Sequence, residues 1–180
     1  MQGRVASLAS SPGHDFSKEP RAGLRLLAGL GVEGDAHCGP TVKHRSRVAL
    51  DPSQPNLRQV LLLEAERIRS VAAEGYAVGP GTLGENLLTE GLDLHDLPVG
   101  TRLEIGADVV LELTGLRNPC AQIEDLGPGL LARFAWRDEA GQLVRRAGVM
   151  AIVLASGEVK EGDAIRAVPP PGPPRPLERI

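Results

Sequence analysis

The sequence predicts a mainly β (α+β) fold, a closed or nearly closed β-barrel with a few short helices. Short strand-like runs recur along the chain with glycines between them, whereas only two or three segments have the spacing of a helix. An α/β doubly wound fold would need regular alternation of strands and helices, and that alternation is absent. A chain of 180 residues has the length of a single domain and can bury a substantial hydrophobic core.

The predicted elements follow one another at short intervals. The strand-like runs are 4–8, 24–28, 59–63, 86–89, 102–105, 109–113, 148–154 and 164–168, and a glycine-rich loop occupies 29–39. In EAERIRSVAAEG, Ala65, Ile68 and Val71 repeat at helical spacing, and Gly75 stands where such a helix would end. The stretch TRLEIGADVVLELTG has alternating apolar positions on both sides of Gly106, which predicts a hairpin.

The chain divides into a domain at 1–168 and a proline-rich tail at 169–180. The segment PPPGPPRP cannot form a helix or a central strand because proline lacks the backbone donor. We expect a polyproline-II segment that either lies on the domain or extends freely from it. An inert terminus is the simpler interpretation, and docking into an aromatic-lined groove of a partner is the other.

Composition and charge argue against several classes of protein. A formal net charge of −3 gives no reason to expect a nucleic-acid partner, and one Trp, one Tyr and two Phe are too few to stack on single strands. The longest apolar stretch, 147–155, is far shorter than the roughly 20 residues of a membrane helix, and the N-terminus lacks the features of a secretory signal. Cys38 and Cys120 make no disulfide framework and are expected to be reduced. We therefore expect a soluble, cytoplasmic protein that binds neither nucleic acid nor membrane.

The segment TGLRNPCAQIED, 114–125, is the most informative part of the chain. Asn118 is a favoured helix N-cap, and Pro119 would then occupy the first helical position, where its missing donor costs nothing. Apolar residues three apart follow, as in the buried stripe of a short helix. This pattern predicts a strand, a tight turn and a helix start, with Cys120 in the first helical turn.

Such a position would favour chemistry at the Cys120 thiol. The free N–H groups and the positive end of a helix dipole stabilise an anion, and the thiolate is both the nucleophile and the metal ligand. Arg117 could add positive charge, while Glu124 and Asp125 would oppose it if they face the same side. The alternative is that Cys120 is a small buried apolar residue.

Four segments carry a further signal through their order and spacing. They are GLGVEGDAHCG (29–39), NLRQVLLL (56–63), GTLGENLLTEGLDLHDLPVGTRLEIG (81–106) and RNPCAQI (117–123), and the pattern continues through AGVMAIVLASGEVKEGDAIRAV (147–168). Together they resemble the MOSC family, the domain named for the C-terminal part of molybdenum-cofactor sulfurases. No single segment is specific, but the combination covers nearly the whole chain from residue 4.

The resemblance implies a β-barrel and a cysteine, matched here by Cys120, that binds molybdenum or hands on sulfur. Some relatives are fused to pyridoxal-phosphate-dependent enzymes that mobilise sulfur. Others hold the molybdenum cofactor (molybdopterin), ligate its metal through the matching cysteine and reduce N-hydroxylated substrates. Nothing in this chain looks like a pyridoxal-phosphate lysine site. We therefore expect a MOSC unit that stands alone and meets pyridoxal phosphate only through a partner desulfurase.

The glycine-rich loop and its surroundings contain further candidates. His37 could donate a hydrogen bond, move a proton or bind a metal, or it could be a structural histidine beside a capping Asp35. Cys38 could join Cys120 or His37 in a metal site, although the spacing is weak evidence for zinc. Lys18 has no assigned role.

A basic cluster follows this loop, comprising Lys43, His44, Arg45, Arg47 and Arg58. Molybdopterin carries a phosphate that forked guanidinium groups suit, although solvated loop charges would explain the same residues.

Two residues near the start of the 86–89 strand are also candidates. Glu85 could act as an acid or base, and Asn86 could hydrogen-bond a pterin. In the alternative interpretation Gly84 makes a turn that Asn86 caps. Arg145 and Arg146 are expected at a solvated strand edge.

Three functional hypotheses remain at this point. In the leading one the protein binds the molybdenum cofactor through Cys120 and reduces N-hydroxylated substrates with electrons from a donor protein. In the second, Cys120 is a sulfur carrier that accepts a persulfide from a pyridoxal-phosphate-dependent cysteine desulfurase. In the third, the barrel is a non-catalytic binding module that uses its proline tail. The residues predicted to bind the cofactor are Lys43, Arg45, Arg47, Arg58, Asn86, Arg117 and Asn118. Those predicted to act in catalysis are His37 and Cys120, which is also the predicted metal ligand.

Overall fold

The computed structural model describes residues 1–44 and 48–180. The strands of these residues are β1 (Gln2–Ser10), β2 (Glu19–Pro20), β3 (Gly23–Leu27), β4 (Gly31–Val32), β5 (Val60–Glu64), β6 (Leu87–Glu90), β7 (Arg102–Ile105), β8 (Val109–Leu116), β9 (Ala135–Arg137), β10 (Leu143–Arg145), β11 (Val149–Ala155), β12 (Gly157–Lys160) and β13 (Ala164–Val168). They are joined by the α-helix α1 (Ala65–Ala73) and by 3₁₀ helices at Leu94–Asp96, Ala121–Leu126 and Leu131–Arg133.

Seven strands close into a barrel in the order β13-β7-β8-β11-β5-β6-β1, and β1 pairs with β13 to complete it. Neighbouring strands are antiparallel except β5 and β6, which are parallel. A bulge between Val5 and Ser7 in β1 shifts its register against β6, and bulges of this kind help a sheet to curve. Strands β3, β4 and β12 form a second, three-stranded sheet, while β9 and β10 form a hairpin. The prediction of a mainly β protein with a closed barrel is confirmed.

The barrel interior is filled by aliphatic side chains. In β8 buried and partly buried residues alternate along the strand, because successive side chains of a strand point to opposite faces. Leu62, Leu87, Leu103 and Ile105 are fully buried in the main hydrophobic cluster. A smaller cluster packs α1 against the outside of the barrel and includes the buried ring of Phe134.

Local sequence signals placed several elements correctly. The predicted strands 102–105 and 164–168 have the observed bounds, and β7 and β8 form the predicted hairpin around Gly106. Helix α1 ends two residues before Gly75, whose φ of 97° lies in the region that favours glycine. The short strands β2, β4, β9, β10 and β12 were not predicted, because they are brief and largely polar or glycine-containing.

The end of the proline-rich tail runs beside β8. The N–H of Leu116 donates to the carbonyl of Glu178 at 2.7 Å, and the N–H of Ile180 donates back to Leu116 at 3.3 Å. Leu177 is buried and joins the main hydrophobic cluster. The residues after the proline segment are therefore packed against the strand that leads to Cys120.

Candidate functional site

Cys120 opens into a cavity of about 350 Å³ that collects residues from distant parts of the chain. The predicted site residues that line it are His37, Lys43, Arg58, Asn86, Arg117, Asn118 and Cys120. Arg45 and Arg47, which the sequence also nominated, lie outside the described residues. Seven of the nine predicted positions thus meet in one place, and their chemical roles remain predictions.

The backbone around Cys120 differs from the expected helix start. Cys120 is extended, with φ −103° and ψ 162°, and it is the residue before the 3₁₀ helix Ala121–Leu126. The prediction of an Asn118 cap with Cys120 in the first turn was therefore wrong. The physical reason is tertiary, since the N–H of Arg117 donates to the carbonyl of Gly148 and prolongs the pairing of β8 with β11. A short 3₁₀ helix also offers little dipole to stabilise a thiolate.

Arg117 is the cation beside the Cys120 thiol. Its guanidinium is buried, donates to the carbonyl of Leu83 at 2.6 Å and lies 5.5 Å from the ring of Phe16. Burial lowers the pKa of Arg117, and the negative charges of Cys120 and Glu85 oppose that shift. The same attraction acts on the sulfur, because a nearby positive charge favours a thiolate.

Glu124 does not point its charge at the sulfur. Its carboxylate accepts hydrogen bonds from the N–H groups of Gly129 and Leu131, each at 2.7 Å. The sequence left open whether Glu124 would oppose Arg117 at Cys120, and these bonds engage it with the following loop instead. The thiol itself lies 3.5 Å from Oε1 of Gln122, which also lines the cavity.

A buried network lies behind the cavity wall and is centred on Asp35. Its Oδ2 forms an ion pair with Nζ of Lys18 at 2.7 Å and accepts a hydrogen bond from Nδ2 of Asn86 at 3.0 Å. Its Oδ1 accepts the N–H of His37 at 3.0 Å and lies 3.3 Å from Nδ1 of the same residue. Burial by itself would raise the pKa of Asp35, but the hydrogen bonds from His37 and the charge of Lys18 outweigh it and hold that pKa well below its ordinary value.

Lys18 is the member of this network that the sequence did not reveal. Its side chain is 5% exposed, and burial lowers the pKa of its ammonium group although Asp35 opposes the shift. Buried lysines are rare unless they are paired. A lone lysine in an otherwise lysine-free stretch of forty residues was the one available hint, and by itself it did not indicate a partner.

Because Asp35 is ionised, it fixes the orientation of His37. A carboxylate can only accept hydrogen bonds, so Nδ1 of His37 carries the proton when the two groups are bonded. Nε2 is then the ring nitrogen available to the cavity that His37 lines. The ring also meets His14 edge-on at 5.4 Å between centroids and lies 6.5 Å from His44. The sequence analysis did not single out His14, which also lines the cavity.

Glu85 and Asn86 have different positions. The carboxylate of Glu85 is buried, accepts the N–H groups of Gly81 and Leu83 and does not line the cavity. Burial raises the pKa of Glu85 in spite of these bonds. Asn86 lines the cavity, but its amide is also tied to the protein through the N–H of Leu61 at 3.2 Å and through Asp35.

Cys38 lies away from the Cys120 cavity. Burial and the negative charges of Asp35 and Glu33 raise the pKa of its thiol. Within residues 1–44 and 48–180, no group of three potential ligands that could hold a metal ion includes Cys38 or Cys120. The structure therefore offers no zinc site of the kind considered for Cys38.

Comparison with known proteins identifies this arrangement. The sequence profile of the MOSC domain matches residues 34–166, which include Asp35, His37 and Cys120. The chain belongs to the MOSC domain family. Its resemblance to that family, inferred from the sequence, is confirmed.

Solved structures show the same MOSC fold. The YuaD protein from Bacillus subtilis is 26% identical with a TM-score of 0.75, and the alignment covers 93% of this chain and 96% of that one. YiiM from Escherichia coli is 20% identical with a TM-score of 0.62, covering 97% of this chain and 73% of that one, and this likeness shows the fold alone.

A protein of Gibberella moniliformis named "Reductase" is 32% identical over 95 residues. The match covers 52% of this MOSC chain but 16% of that protein, so this chain spans only a small part of its relative's length. In residues 1–44 and 48–180, no helix is long and apolar enough to span a bilayer.

Proposed function

We propose that this MOSC domain binds the molybdenum cofactor in the Cys120 cavity and reduces N-hydroxylated substrates. The observation that supports it best is the shared cavity, in which the Cys120 thiol lies with the cationic side chains of Lys43, Arg58 and Arg117. A soft sulfur ligand next to anion-binding groups suits a metal cofactor that carries a phosphate.

The residues present fit the parts of that cofactor. The Cys120 thiolate would ligate the metal, and Lys43 and Arg58 would hold the phosphate, since ammonium and guanidinium groups bind phosphate oxygens strongly. The amides of Asn118 and Gln122 line the same cavity and offer both donors and acceptors to a polar heterocycle. A volume of about 350 Å³ lies within the range of small-molecule sites.

The proposed reaction replaces an N–OH group by N–H and releases water. It consumes two electrons and two protons, and an electron-donor protein would deliver the electrons. The cofactor, when bound, would supply the redox centre that accepts the hydroxyl oxygen of the substrate. The protein residues would bind, orient and protonate.

His37 is the residue best placed to supply a proton. Asp35 holds Nδ1 of the ring, so Nε2 is left for the cavity and can carry a proton to the departing oxygen. The negative charge of Asp35 stabilises a protonated ring, and Lys18 offsets part of that charge from the buried side. The network therefore allows His37 to gain and lose a proton without turning away from the cavity.

Two observations bear on the choice between reduction and sulfur transfer. The Gibberella moniliformis relative is named a reductase, which favours reduction. Cys120 is only partly buried, so a partner desulfurase could also reach its sulfur. A persulfide carrier on the same residue is therefore the second candidate.

Expression in a host with an intact molybdenum pathway tests the proposal. We expect molybdenum and pterin at a stoichiometry near one per chain, and turnover of an N-hydroxylated base when an electron donor is supplied. Cys120→Ser should abolish turnover, whereas Cys38→Ser, which changes a thiol outside the cavity, should leave it nearly unchanged. Lys43→Glu should lower pterin retention with little change in melting temperature.

The opposite result has a clear signature. Protein that remains free of metal, yet gains about 32 Da at Cys120 when mixed with a desulfurase and cysteine, would carry one sulfur atom as a persulfide. Reversal of that gain by dithiothreitol would establish the carrier and exclude the reductase.

A further inference from the structure

A second set of potential ligands lies where β5 meets α1. Glu64 ends β5, while Asp93 and His95 come from the turn that contains the 3₁₀ helix Leu94–Asp96. One donor atom from each of these three residues lies within 4.8 Å of the others. Oε1 of Glu64 is 2.7 Å from Nδ1 of His95 and also accepts the N–H of Leu94 at 3.1 Å.

Burial makes this set different from an acidic surface patch. The imidazole of His95 is 4% exposed and the side chain of Glu64 is 10% exposed. Nε2 of His95 is buried and has no hydrogen-bond partner among the described residues. Buried polar atoms in proteins are nearly always paired, so this ring has coordinating capacity that the protein leaves unused.

The set also has access to solvent and a built-in competitor. Glu64 and Asp93 line a second cavity of about 560 Å³, which could admit a hydrated ion. Within the described part of the chain, no residue lines both this cavity and the Cys120 cavity. Arg146 lies in its wall and pairs with Oδ1 of Asp93 at 2.7 Å and with Asp96 at 3.4 Å. A cation would therefore compete with Arg146 for Asp93, although a carboxylate has two oxygens to share.

We propose that Glu64, Asp93 and His95 form a binding site for a first-row divalent cation, separate from the Cys120 site. Two carboxylates and one imidazole suit ions such as Mn²⁺, Fe²⁺ and Zn²⁺ better than ions that take only oxygen ligands. A bound ion ties the start of α1 to the 94–96 turn through the protein's own side chains.

Titration with Mn²⁺, followed by electron paramagnetic resonance on the full chain after treatment with a chelator, tests the site. Mn²⁺ avoids confusion with the cysteines because it prefers oxygen and nitrogen ligands to thiolates. We expect saturable binding near one ion per chain, unchanged by Cys120→Ser. Asp93→Asn should weaken binding at least about tenfold, the scale on which disturbed metal sites lose affinity.

Two variants separate coordination from general charge effects. Asp96→Asn removes an exposed carboxylate that pairs with the same Arg146 but lies outside the ligand set, and it should change affinity less than about threefold. Arg146→Ala should tighten binding, because it frees Asp93. Asp93 is half exposed, so its substitution should leave the fold intact even if changes at buried Glu64 or His95 do not. Absence of saturable Mn²⁺ binding, or equal effects of Asp93→Asn and Asp96→Asn, would overturn the proposal.

Discussion

The electrostatic surroundings of Cys120 come from a side chain rather than from a helix. The residue is extended ahead of a six-residue 3₁₀ helix, and the nearby positive charge is the buried guanidinium of Arg117. Cys38, by contrast, lies beside the negative charges of Asp35 and Glu33, which together with burial raise the pKa of its thiol. The two cysteines of one small protein are thus set in opposite fields.

We predict that Cys120 reacts faster than Cys38 with iodoacetamide near neutral pH. The thiolate is the reactive form, and Arg117 favours it at Cys120 whereas Asp35 disfavours it at Cys38. The measurement is the alkylation rate against pH in Cys38→Ala and Cys120→Ala variants of the cofactor-free protein, since a bound metal would mask the thiol. A Cys120 that titrates like a free thiol, near about pH 8.5, would show that Arg117 has no effect on it.

At the scale of elements, the tail after the proline segment acts as an outer brace on β8. The contact is close, because a Cβ added to Gly115 would come within 2.6 Å of the carbonyl oxygen of Glu178. Strand β8 continues directly into Arg117 and Cys120, so the brace and the site share one backbone. Proline explains why 169–176 leaves the barrel, while the apolar Leu177 explains why the chain returns to it.

We predict that Leu177→Ala lowers the free energy of unfolding by about 2–5 kcal/mol, the usual cost of emptying a buried leucine site. Pro173→Ala is the matched control, because Pro173 is exposed and its loss should change stability little. Urea denaturation of the two variants measures the difference. Equal stabilities would mean that the tail end is not anchored to the barrel in solution.

At the scale of the whole molecule, the Asp35 network joins parts of the chain that are far apart. Lys18 follows β1, Asp35 belongs to the glycine-rich loop and Asn86 precedes β6, fifty-one residues beyond Asp35. Removing one member of such a buried pair usually costs about 3–5 kcal/mol, because the other charge is left unpaired. The network therefore couples the cavity wall to the stability of the barrel.

This network makes the stability of the protein depend on pH. The pKa of Asp35 is lower in the folded protein than in the unfolded chain, so its contribution is complete above about pH 5 and is lost as the pH falls towards the folded value. We predict that the free energy of unfolding of Asp35→Asn changes less between about pH 5 and pH 2 than that of the unaltered protein. Urea denaturation across this range measures both slopes, and parallel curves would assign the pH dependence to other carboxylates.

Local patterns were sufficient for much of the architecture. Alternation predicted β7 and β8, helical spacing with Gly75 predicted α1, and the order of several weak segments indicated the family. They failed where long-range contacts decide, as at Cys120, whose backbone is held extended by a hydrogen bond from Arg117 to Gly148. A favourable cap residue such as Asn118 is a weak preference that one additional strand pairing overrides.

The sequence by itself determined the mainly β class, the membership of the MOSC family and the importance of the segment around Cys120. Each follows from residue order, because periodicity, glycine and proline act over a few neighbouring residues. Only the tertiary structure decided that β1 pairs with β13, that Lys18 neutralises Asp35 and that seven predicted residues share one cavity. These depend on which distant segments pack together, and burial, which sets the charges and pKa values of the site, exists only once they have done so.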